Sequence, residues 1–542
     1  SISFEISCHR QGRNFTCVTL SICRNLPIEM GASSELSSSD LLLEFFLHRF
    51  RWIPVCFILL PLSFLFDLLT RARNYLVHAV NSAPKAHERK VAIIQKEVRE
   101  WASGDKKKKM CNARSGWSTM SFRYPLYKET STLISTNTLI DILEMDEESR
   151  TIRVEPMVTM GEITNFLLPL GYSLPIVPEL DDLTVGGMIN GCGVESSGRK
   201  YGLFQHICVS YEIVTADGSL VVAKKGTEDA EGQGLFYGIP WSHGTLGFLV
   251  AATIRIIPCK PFVKLTYMPV GDFKEMSTKL QSESTVAENE FVEGIQFSQE
   301  MGVVMKGRFS DGPPKNGAAN CIGKWHKPWF YTHVEGIGKK NEEVTEYIPL
   351  RDYYHRHSKS IFWELQEIIP FGNNVLFRWF YGWMCPPKIS FLKYTTLGPV
   401  RRIYERRHVL QDMLIPMTDL EKGLQVFHDK TNIYPVWLCP FNLPTCPGFV
   451  KQKSGKNVLY VDVGVYGVCK KDDYDPRKTT RELEEYVRSV EGVQMLYADT
   501  YMTREEFYHM FDSSLYEWLR VKLNAKEAFP DVYDKVKKEA RF

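Results

Sequence analysis

A glycine-rich stretch in the first half of the chain has the clearest chemical meaning. Thr184-Val-Gly-Gly-Met-Ile-Asn-Gly-Cys-Gly-Val-Glu-Ser196, here called the glycine loop, carries four glycines in eight residues. Glycine has no Cβ and tolerates positive φ, so consecutive N–H groups of such a loop can turn inward and bind an anion. We therefore expect a phosphate or pyrophosphate at this loop. A glycine-rich turn without a ligand is the alternative.

Local signals predict the elements that position this loop. Residues 151–154 alternate and are β-branched, which indicates a short strand. Thr159 and Glu162 form a capping box at the start of a helix that Gly171 ends. An Asp-Gly turn at 217–218 joins two further strands. The order differs from a Rossmann domain, because serine replaces the third glycine of the fingerprint, and no Walker phosphate loop occurs.

This order of elements resembles the FAD-binding domain of the vanillyl-alcohol-oxidase (PCMH) superfamily. Met110-Cys-Asn-Ala-Arg-Ser-Gly-Trp117 looks like the first phosphate loop of that domain, and the glycine loop looks like the second. The resemblance implies an α+β fold, with a two-lobed PCMH-type FAD-binding domain followed by an α+β substrate or cap domain. The residues that it predicts to bind FAD are Arg114, Ser115, Gly116, Trp117, Thr184, Val185, Gly186, Gly187, Met188, Ile189, Asn190, Gly191, Cys192, Gly193, Val194, Glu195 and Ser196.

Longer strings are similar to one family, the Δ24-sterol reductases, and more to its animal branch than to its plant branch. They are Pro178-Glu-Leu-Asp-Asp-Leu-Thr-Val-Gly-Gly187, Lys200-Tyr-Gly-Leu-Phe-Gln-His206, Ile348-Pro-Leu-Arg-Asp-Tyr-Tyr-His-Arg-His357, Ile368-Ile-Pro-Phe-Gly-Asn-Asn374 and Met495-Leu-Tyr-Ala-Asp499. The resemblance implies an FAD enzyme of sterol biosynthesis that uses NADPH to saturate the side-chain C24–C25 double bond, as in desmosterol to cholesterol. One departure is His243, where we expect a small residue or cysteine.

An apolar run over residues 52–69 predicts a membrane helix. It holds one charge, Asp67, and its 18 residues are just long enough to cross a core of roughly 30 Å. Basic residues are more numerous after the run, so we expect a retained anchor with the catalytic body in the cytosol. A signal peptide, a buried core helix and a re-entrant or interfacial helix are the alternatives. The resemblance implies the endoplasmic reticulum membrane, with the Golgi membrane as the alternative.

The composition shifts along the chain suggest six segments. Residues 1–40 match nothing in the family, and we interpret Met30 as the candidate start, with the preceding residues as an artefact. The predicted segments are an N-terminal tail at 1–40, a membrane anchor at 41–70, a linker helix at 71–105, the FAD-binding domain at 106–259, a substrate or cap domain at 260–500 and a C-terminal helical segment at 501–542.

Bulk composition excludes several function classes. The 66 Lys and Arg nearly balance 64 Asp and Glu, which does not suggest nucleic acid as a partner. The 13 cysteines include no C-x-x-C pair and no zinc spacing, so we expect a reducing compartment and no metal site. The oligomeric state stays open.

Reduction of an isolated alkene needs a general acid beside the flavin, as well as a hydride. Tyr353, His355 and His357 are the catalytic candidates, and they share a face if the segment is a strand but not if it is a helix. Glu364, Asp462 and Asp499 are the alternatives. No second dinucleotide motif is visible, so NADPH is expected to use the same pocket in turn with the sterol.

Two other functions fit the residues without the family resemblance. A membrane-bound FAD oxidase of the same superfamily, acting on an alcohol or a sugar lactone, would reduce O₂ and release peroxide. A non-catalytic membrane-bound interaction protein would retain flavin that NADPH does not reduce.

The first loop predicts that FAD is bound without a covalent bond. The sequence Arg114-Ser-Gly-Trp117 holds no histidine, and Cys111 precedes the turn, so the side chains that tether FAD in many superfamily members are absent from it. After acid precipitation, we expect flavin absorbance in the supernatant. Flavin that remains with the pellet would contradict this prediction.

Overall fold

The computed structural model describes residues 49–116, 125–227, 230–315, 317–395, 400 and 406–541. Within these ranges the chain folds into α+β layers around two antiparallel sheets. This agrees with the predicted fold class.

The first lobe is built around a five-stranded antiparallel sheet and contains the glycine loop. The predicted capping box is confirmed, because Thr159 Oγ1 accepts from the N–H of Glu162 and the Glu162 carboxylate accepts from the N–H of Thr159. Gly218 has φ of +80° in the predicted hairpin turn. The strands in spatial order are Ile142–Asp146, Thr151–Val154, Phe248–Arg255, Cys208–Val214 and Leu220–Lys224. Two small sheets pair Met110–Asn112 with Thr132–Ile134 and Tyr172–Ser173 with Ile257–Pro258.

The second lobe is an eight-stranded antiparallel sheet. Its strands in spatial order are Val344–Pro349, Phe262–Val270, Met301–Ser310, Phe291–Ser298, Val436–Leu443, Val458–Val468, His408–Pro416 and Val493–Gln494. The chain passes from the first lobe to the second between Pro258 and Phe262. The division into six segments remains a prediction.

Helices pack against both sheets. The α-helices beyond the N-terminal apolar one are His87–Ser103, Met160–Leu167, Val185–Asn190, Gly198–Tyr201, Ala230–Gly238, Phe273–Thr285, Phe330–Gly338, Leu350–Tyr354, Glu364–Ile368, Val375–Tyr381, Ile389–Thr395, Leu420–Thr431, Pro476–Ser489, Arg504–Met510, Ser514–Lys522, Ala525–Ala528 and Val532–Val536. Short 3-10 turns are Pro84–Ala86, Leu126–Lys128, Leu168–Leu170, Phe204–Ile207, Gly382–Met384, Met417–Asp419 and Lys538–Ala540.

The N-terminal apolar helix, here the anchor helix, runs over Trp52–Asn81 and contains a π-helical turn at Val55–Leu59. Among the described residues it is the helix with the length and composition to cross a membrane. It does not end near residue 70, where the predicted anchor and linker meet, since no helix breaker occurs there. It ends at Ser82, whose backbone is extended, just before Pro84.

The C-terminal helices return to the first lobe. Tyr516 Oη lies 2.8 Å from Thr245 Oγ1, and Arg520 donates to the Thr245 carbonyl at 3.2 Å. The rings of Phe248 and Phe529 are 5.4 Å apart. The last segment therefore forms part of the packing of the first lobe.

A buried ion group joins the two lobes at Arg356. Its guanidinium donates to Glu195 Oε1 at 2.8 Å, at the end of the glycine loop, and to both oxygens of Glu293, in strand Phe291–Ser298, at 2.8 Å. All three side chains are fully buried. Because buried carboxylates without a cation are costly, this group favours one arrangement of the lobes.

We predict that Arg356→Ala lowers the free energy of unfolding by about 3–5 kcal/mol, since it leaves two buried carboxylates without their cation. Denaturant unfolding of the detergent-solubilised protein, followed by tryptophan fluorescence, measures the loss. Arg351→Ala is the matched control. Its ion pair with Asp181 is about two-fifths exposed and should contribute about 0–1 kcal/mol. Equal losses in both variants would contradict the prediction.

Candidate active site

A cleft of about 530 Å³ lies between the glycine loop and the eight-stranded sheet. The opposite wall comes from strands His408–Pro416 and Val458–Val468, with Phe362 and Trp437 as large apolar side chains. The size and the mostly apolar lining are typical of a ligand site.

The glycine loop folds differently from the expected anion nest. Val185–Asn190 is a short α-helix, and none of the four glycines, all of them described, has positive φ. A Cβ on Gly186 would lie 2.8 Å from Pro156 Cβ, and one on Gly193 would lie 3.0 Å from Phe204 Cβ. Glycine is thus required by close packing against the protein. The expectation of a nest built on positive φ is wrong, although the loop lines the cleft.

Positive φ occurs instead in the adjacent turn that supports this helix. His243 and Gly244 have φ of +51° and +68°, and their N–H groups donate to the carbonyl and side-chain oxygens of Asn190 at 2.9 and 3.1 Å. His243 lines the cleft. Burial, and then the positive charges of Arg541 and Lys535, hold the pKa of His243 well below its usual value, so its ring is neutral.

The first loop is tied to the glycine loop by Arg114. The guanidinium donates to Thr184 Oγ1 at 2.8 Å, and the Arg114 N–H donates to Asn112 Oδ1 at 2.6 Å. Thr184 Oγ1 therefore serves this contact and does not cap the helix that follows it. Trp117 lies outside the described residues.

Four cationic side chains line one part of the cleft. They are Arg114, Lys128, Lys535 and Arg541. Lys128 donates to the Arg114 carbonyl at 2.5 Å, and Arg541 donates to the Lys535 carbonyl at 3.1 Å. Burial, and then the neighbouring charge of Lys535, lowers the pKa of Lys128 to about 8. Cations beside exposed glycine backbone suit a pyrophosphate, so this donor set fits FAD. Lys128, Lys535 and Arg541 carry no local motif and are not predicted from the sequence.

The structure brings most of the predicted FAD residues to the cleft. Those that line it are Arg114, Thr184, Gly186, Gly187, Met188, Asn190, Gly191, Cys192, Gly193 and Val194. Val185 and Ile189 are buried one helical turn apart on the core side, and Glu195 and Ser196 bind Arg356 and Tyr353. Ser115 and Gly116 are not part of the lining. Which residues contact FAD remains a prediction.

The three predicted acid candidates do not line the cleft. Leu350–Tyr354 is a helix that ends before His355, so the strand grouping does not form. Tyr353 Oη lies 3.0 Å from Ser196 Oγ, and burial raises the pKa of Tyr353 well above its usual value. The segment packs between the lobes. Because a helix begins at Leu350, the three candidate side chains do not share one face as they would on a strand.

The two histidines are held in the interior. The His355 ring contacts the Glu179 carbonyl and Thr164 Oγ1, each at 3.1 Å. The His357 ring stacks on Phe362 with centroids 4.3 Å apart, and burial lowers the pKa of His357 to about 4. Both are placed to support structure. Their catalytic role remains an untested prediction that this placement does not favour.

Two aspartates on the opposite wall do face the cleft. Asp412 and Asp462 lie on adjacent antiparallel strands, where Asp412 pairs with Gly464 and Asp462 with Leu414. They are therefore diagonal neighbours on one face of the sheet. Asp462 is fully buried, and neither of its oxygens has a hydrogen-bond partner among the described residues. Tyr466 donates to Asp412 Oδ1.

Burial favours the neutral form of both carboxyls. Burial raises the pKa of Asp412 to about 7, and burial together with the charge of Asp412 raises the pKa of Asp462 well above its usual range. Both also lie close enough to Cys192 of the glycine loop to raise the pKa of its thiol, after burial itself. The acids thus face the loop across the cleft.

The other carboxyls of the cleft differ in their partners. Glu364 Oε2 lies 2.7 Å from His408 Nε2, and Asp499 accepts from Lys538 at 3.1 Å. Glu179 resembles Asp462, because burial and then Glu195 raise its pKa well above its usual value. Glu364, Asp462 and Asp499 are candidates predicted from the sequence, whereas Asp412 and Glu179 are not.

The fold and the cleft define an FAD-binding oxidoreductase of the PCMH superfamily. The FAD binding domain family matches residues 95–224, which include both loops.

Curated relatives cover almost the whole chain. The Delta(24)-sterol reductase homolog dhcr-24 of Caenorhabditis elegans is 55% identical over 506 residues, which is 92% of this chain and 96% of the relative. The Delta(24)-sterol reductase of Homo sapiens is 52% identical over 499 residues, with the same shares, and that of Pisum sativum is 38% identical over 523 residues, covering 90% and 91%. The chain belongs to the Δ24-sterol reductase family, and its greater similarity to the animal members is confirmed.

Proposed function

We propose that the protein is an FAD-dependent, NADPH-consuming reductase that saturates the C24–C25 side-chain double bond of sterols in a membrane. The observation that carries this function is the identity of 52–55% with animal Δ24-sterol reductases over 96% of their length. The FAD-binding domain and the mostly apolar cleft support it.

Within the cleft, the residues divide into two groups with different tasks. Arg114, Lys128, Lys535 and Arg541 would hold the pyrophosphate, and the glycine helix would position the rest of FAD against the sheet. When bound, FAD supplies the hydride, which it receives from NADPH. The size of this cleft favours NADPH and sterol entering it in turn.

We assign the proton to Asp462, as a replacement for the candidates between residues 353 and 357. Its side chain lines the cleft across from the glycine loop and has no partner among the described residues to compete for its proton. A neutral carboxyl there can donate to C24, which leaves the tertiary C25 to accept the hydride. Asp412, its neighbour on the adjacent strand, can return a proton to Asp462 after turnover.

The location that fits this function is the endoplasmic reticulum membrane, with the catalytic body on the cytosolic side. The family and the anchor helix support a membrane-associated protein. The Golgi membrane is the alternative.

Sterol turnover tests the function. We expect detergent-solubilised protein loaded with FAD to convert desmosterol, in the presence of NADPH, into a product two mass units heavier, measured by mass spectrometry. The matched reaction without NADPH should give no product, because no hydride is available. Flavin-loaded protein that yields no product, or that releases peroxide when given an alcohol or lactone, would contradict the function.

Asp462→Asn tests the acid. The amide keeps the shape but cannot donate a comparable proton, so we expect turnover to fall by about 10²–10⁴-fold while NADPH still reduces the flavin. Glu346→Gln is the control, since Glu346 contacts His333 outside the cleft and should leave turnover unchanged. Wild-type turnover by Asp462→Asn would exclude Asp462 as the donor.

The same acid predicts the pH profile. Burial raises the pKa of Asp412 to about 7, so above that pH Asp412 is ionised and can no longer return a proton to Asp462 after each turnover. Steady-state alkene reduction should therefore fall as pH rises through about 7, whereas flavin reduction by NADPH should not follow this titration. Steady-state turnover and stopped-flow flavin reduction, measured over the same pH range, separate the two steps.

A further inference from the structure

A short helix near the anchor helix exposes its aromatic side chains. The segment comprises helix Val375–Tyr381 and the 3-10 turn Gly382–Met384. Five large apolar side chains on its outer side are between 49% and 69% exposed. Phe377, on the inner side, is buried and stacks on Tyr381 with centroids 5.6 Å apart. The exposed set, here the aromatic face, is Val375, Leu376, Trp379, Phe380 and Trp383.

The aromatic face is continuous with the anchor helix. The rings of Trp383 and Phe64 lie 5.0 Å apart, and those of Phe66 and Phe391 lie 5.4 Å apart. On its far side the anchor helix exposes further apolar side chains, among them Phe57, Ile58, Leu62 and Leu65. A contiguous apolar patch of this kind marks an interaction surface.

The anchor helix lies along the body of the protein and does not stand away from it. Near one end of its apolar run Arg51 donates to the Glu367 carbonyl, and near the other end Asp67 lies 3.4 Å from Lys388 Nζ. These contacts are 16 residues apart, or about 24 Å along a helix. Leu60 and Ser63 are buried between them. Any membrane that receives the exposed side of this helix therefore also meets the part of the body docked beside it.

The same docking segment forms a wall of the cleft. The Lys388 N–H donates to Ser63 Oγ at 2.9 Å, and its ammonium lies 3.1 Å from Asp182. Asp182 and Ile389, the residue after Lys388, both line the cleft. The cleft and the anchor helix are thus separated by a single segment of chain.

We propose that the aromatic face is a second membrane-inserting element, which seats the body in one leaflet beside the anchor helix and brings the sterol to the cleft past Ile389. The proposed membrane insertion, here called the seat, is supported by the exposure of the aromatic face and by its continuity with the anchor helix. The sterol route rests, in addition, on the proposed function.

Charges around the aromatic face fit a lipid surface. His326 stacks on Trp379 with centroids 4.9 Å apart, and Trp325 meets Trp379 edge-on at 5.4 Å. The cations that surround His326 are Lys324, Lys327, Lys359 and Arg378. Tryptophan is enriched at the level of lipid headgroups, and lysine and arginine next to it favour anionic lipids.

Tryptophan quenching tests the seat. Full-length protein is reconstituted in phosphatidylcholine–phosphatidylserine vesicles, with or without bromine on the acyl chains. Trp379→Phe combined with Trp383→Phe keeps the surface apolar and should remove part of the emission that brominated lipid quenches. Trp518→Phe, on helix Ser514–Lys522 and 38% exposed, is the control and should remove only unquenched emission. Unchanged quenching in the double variant would overturn the proposal.

Charged substitutions on the aromatic face test the sterol route. Leu376→Asp with Phe380→Asp should lower kcat/KM for sterol presented in vesicles by about tenfold or more, because a charged side chain is costly among acyl chains. Turnover of sterol delivered on cyclodextrin and flavin reduction by NADPH should stay at wild-type values. Val521→Asp places a charge at another exposed apolar position and is the control. It should leave turnover of sterol from both sources and flavin reduction unchanged.

Other outcomes separate the two proposals. Normal turnover of vesicle sterol by the variant that carries Leu376→Asp and Phe380→Asp would overturn the sterol route. If the variant instead lost a dimer seen for the wild type by size-exclusion chromatography, the face would contact a second copy of the chain, and the membrane seat would be wrong. If the wild type failed to reduce sterol from either source, the proposed function would fail, while the quenching experiment would still decide the seat.

Discussion

The buried ion group at Arg356 is the constraint on which the geometry of the cleft depends. Its two carboxylate partners come from different lobes, Glu195 from the end of the glycine loop and Glu293 from the large sheet. Trp437 Nε1 also donates to Glu293 at 2.9 Å, and the guanidinium lies 4.4 Å from the centre of the Tyr353 ring. Because a buried charge without its counterion is costly, this group favours one separation of the lobes, and the cleft lies between them.

The cleft also carries acids whose neutral form is favoured. Burial, and then the charge of Glu195 from the same ion group, raises the pKa of Glu179 well above its usual range. Burial, and then the charge of Asp412, does the same for Asp462. The cations of the cleft instead cluster around Arg114. One part of the cleft is thus suited to phosphates and another to proton donation, and this separation of charge is what a hydride and proton transfer to an alkene requires.

Buried contacts also hold the anchor helix against the body of the protein. The anchor helix buries one face against the body through Leu60 and Ser63, and Lys388 links that helix to Asp182 at the cleft. In the proposed route, a water-insoluble substrate passes from lipid to the cleft beside this link. The docked helix lies one segment of chain away from the lining of the cleft.

The sequence by itself determined the local elements and the family. The capping box at Thr159, the turn at Gly218 and the glycine loop each depend on a few neighbouring residues, so their signals survive without knowledge of the fold. Most of the residues predicted to bind FAD line the cleft for the same reason, since they lie in two short stretches of chain.

Only the tertiary structure decided which acids face the cleft. Asp412 and Asp462 are 50 residues apart, and they become neighbours because their strands pair antiparallel in one register. Tyr353 and His357 carry the more conspicuous local pattern, yet a short helix and the turn that follows it place them in the interior. The glycine loop shows the same limit, because a helix and close packing explain its glycines better than positive φ. Burial and long-range pairing set proton affinity, and neither is encoded in the spacing of nearby residues.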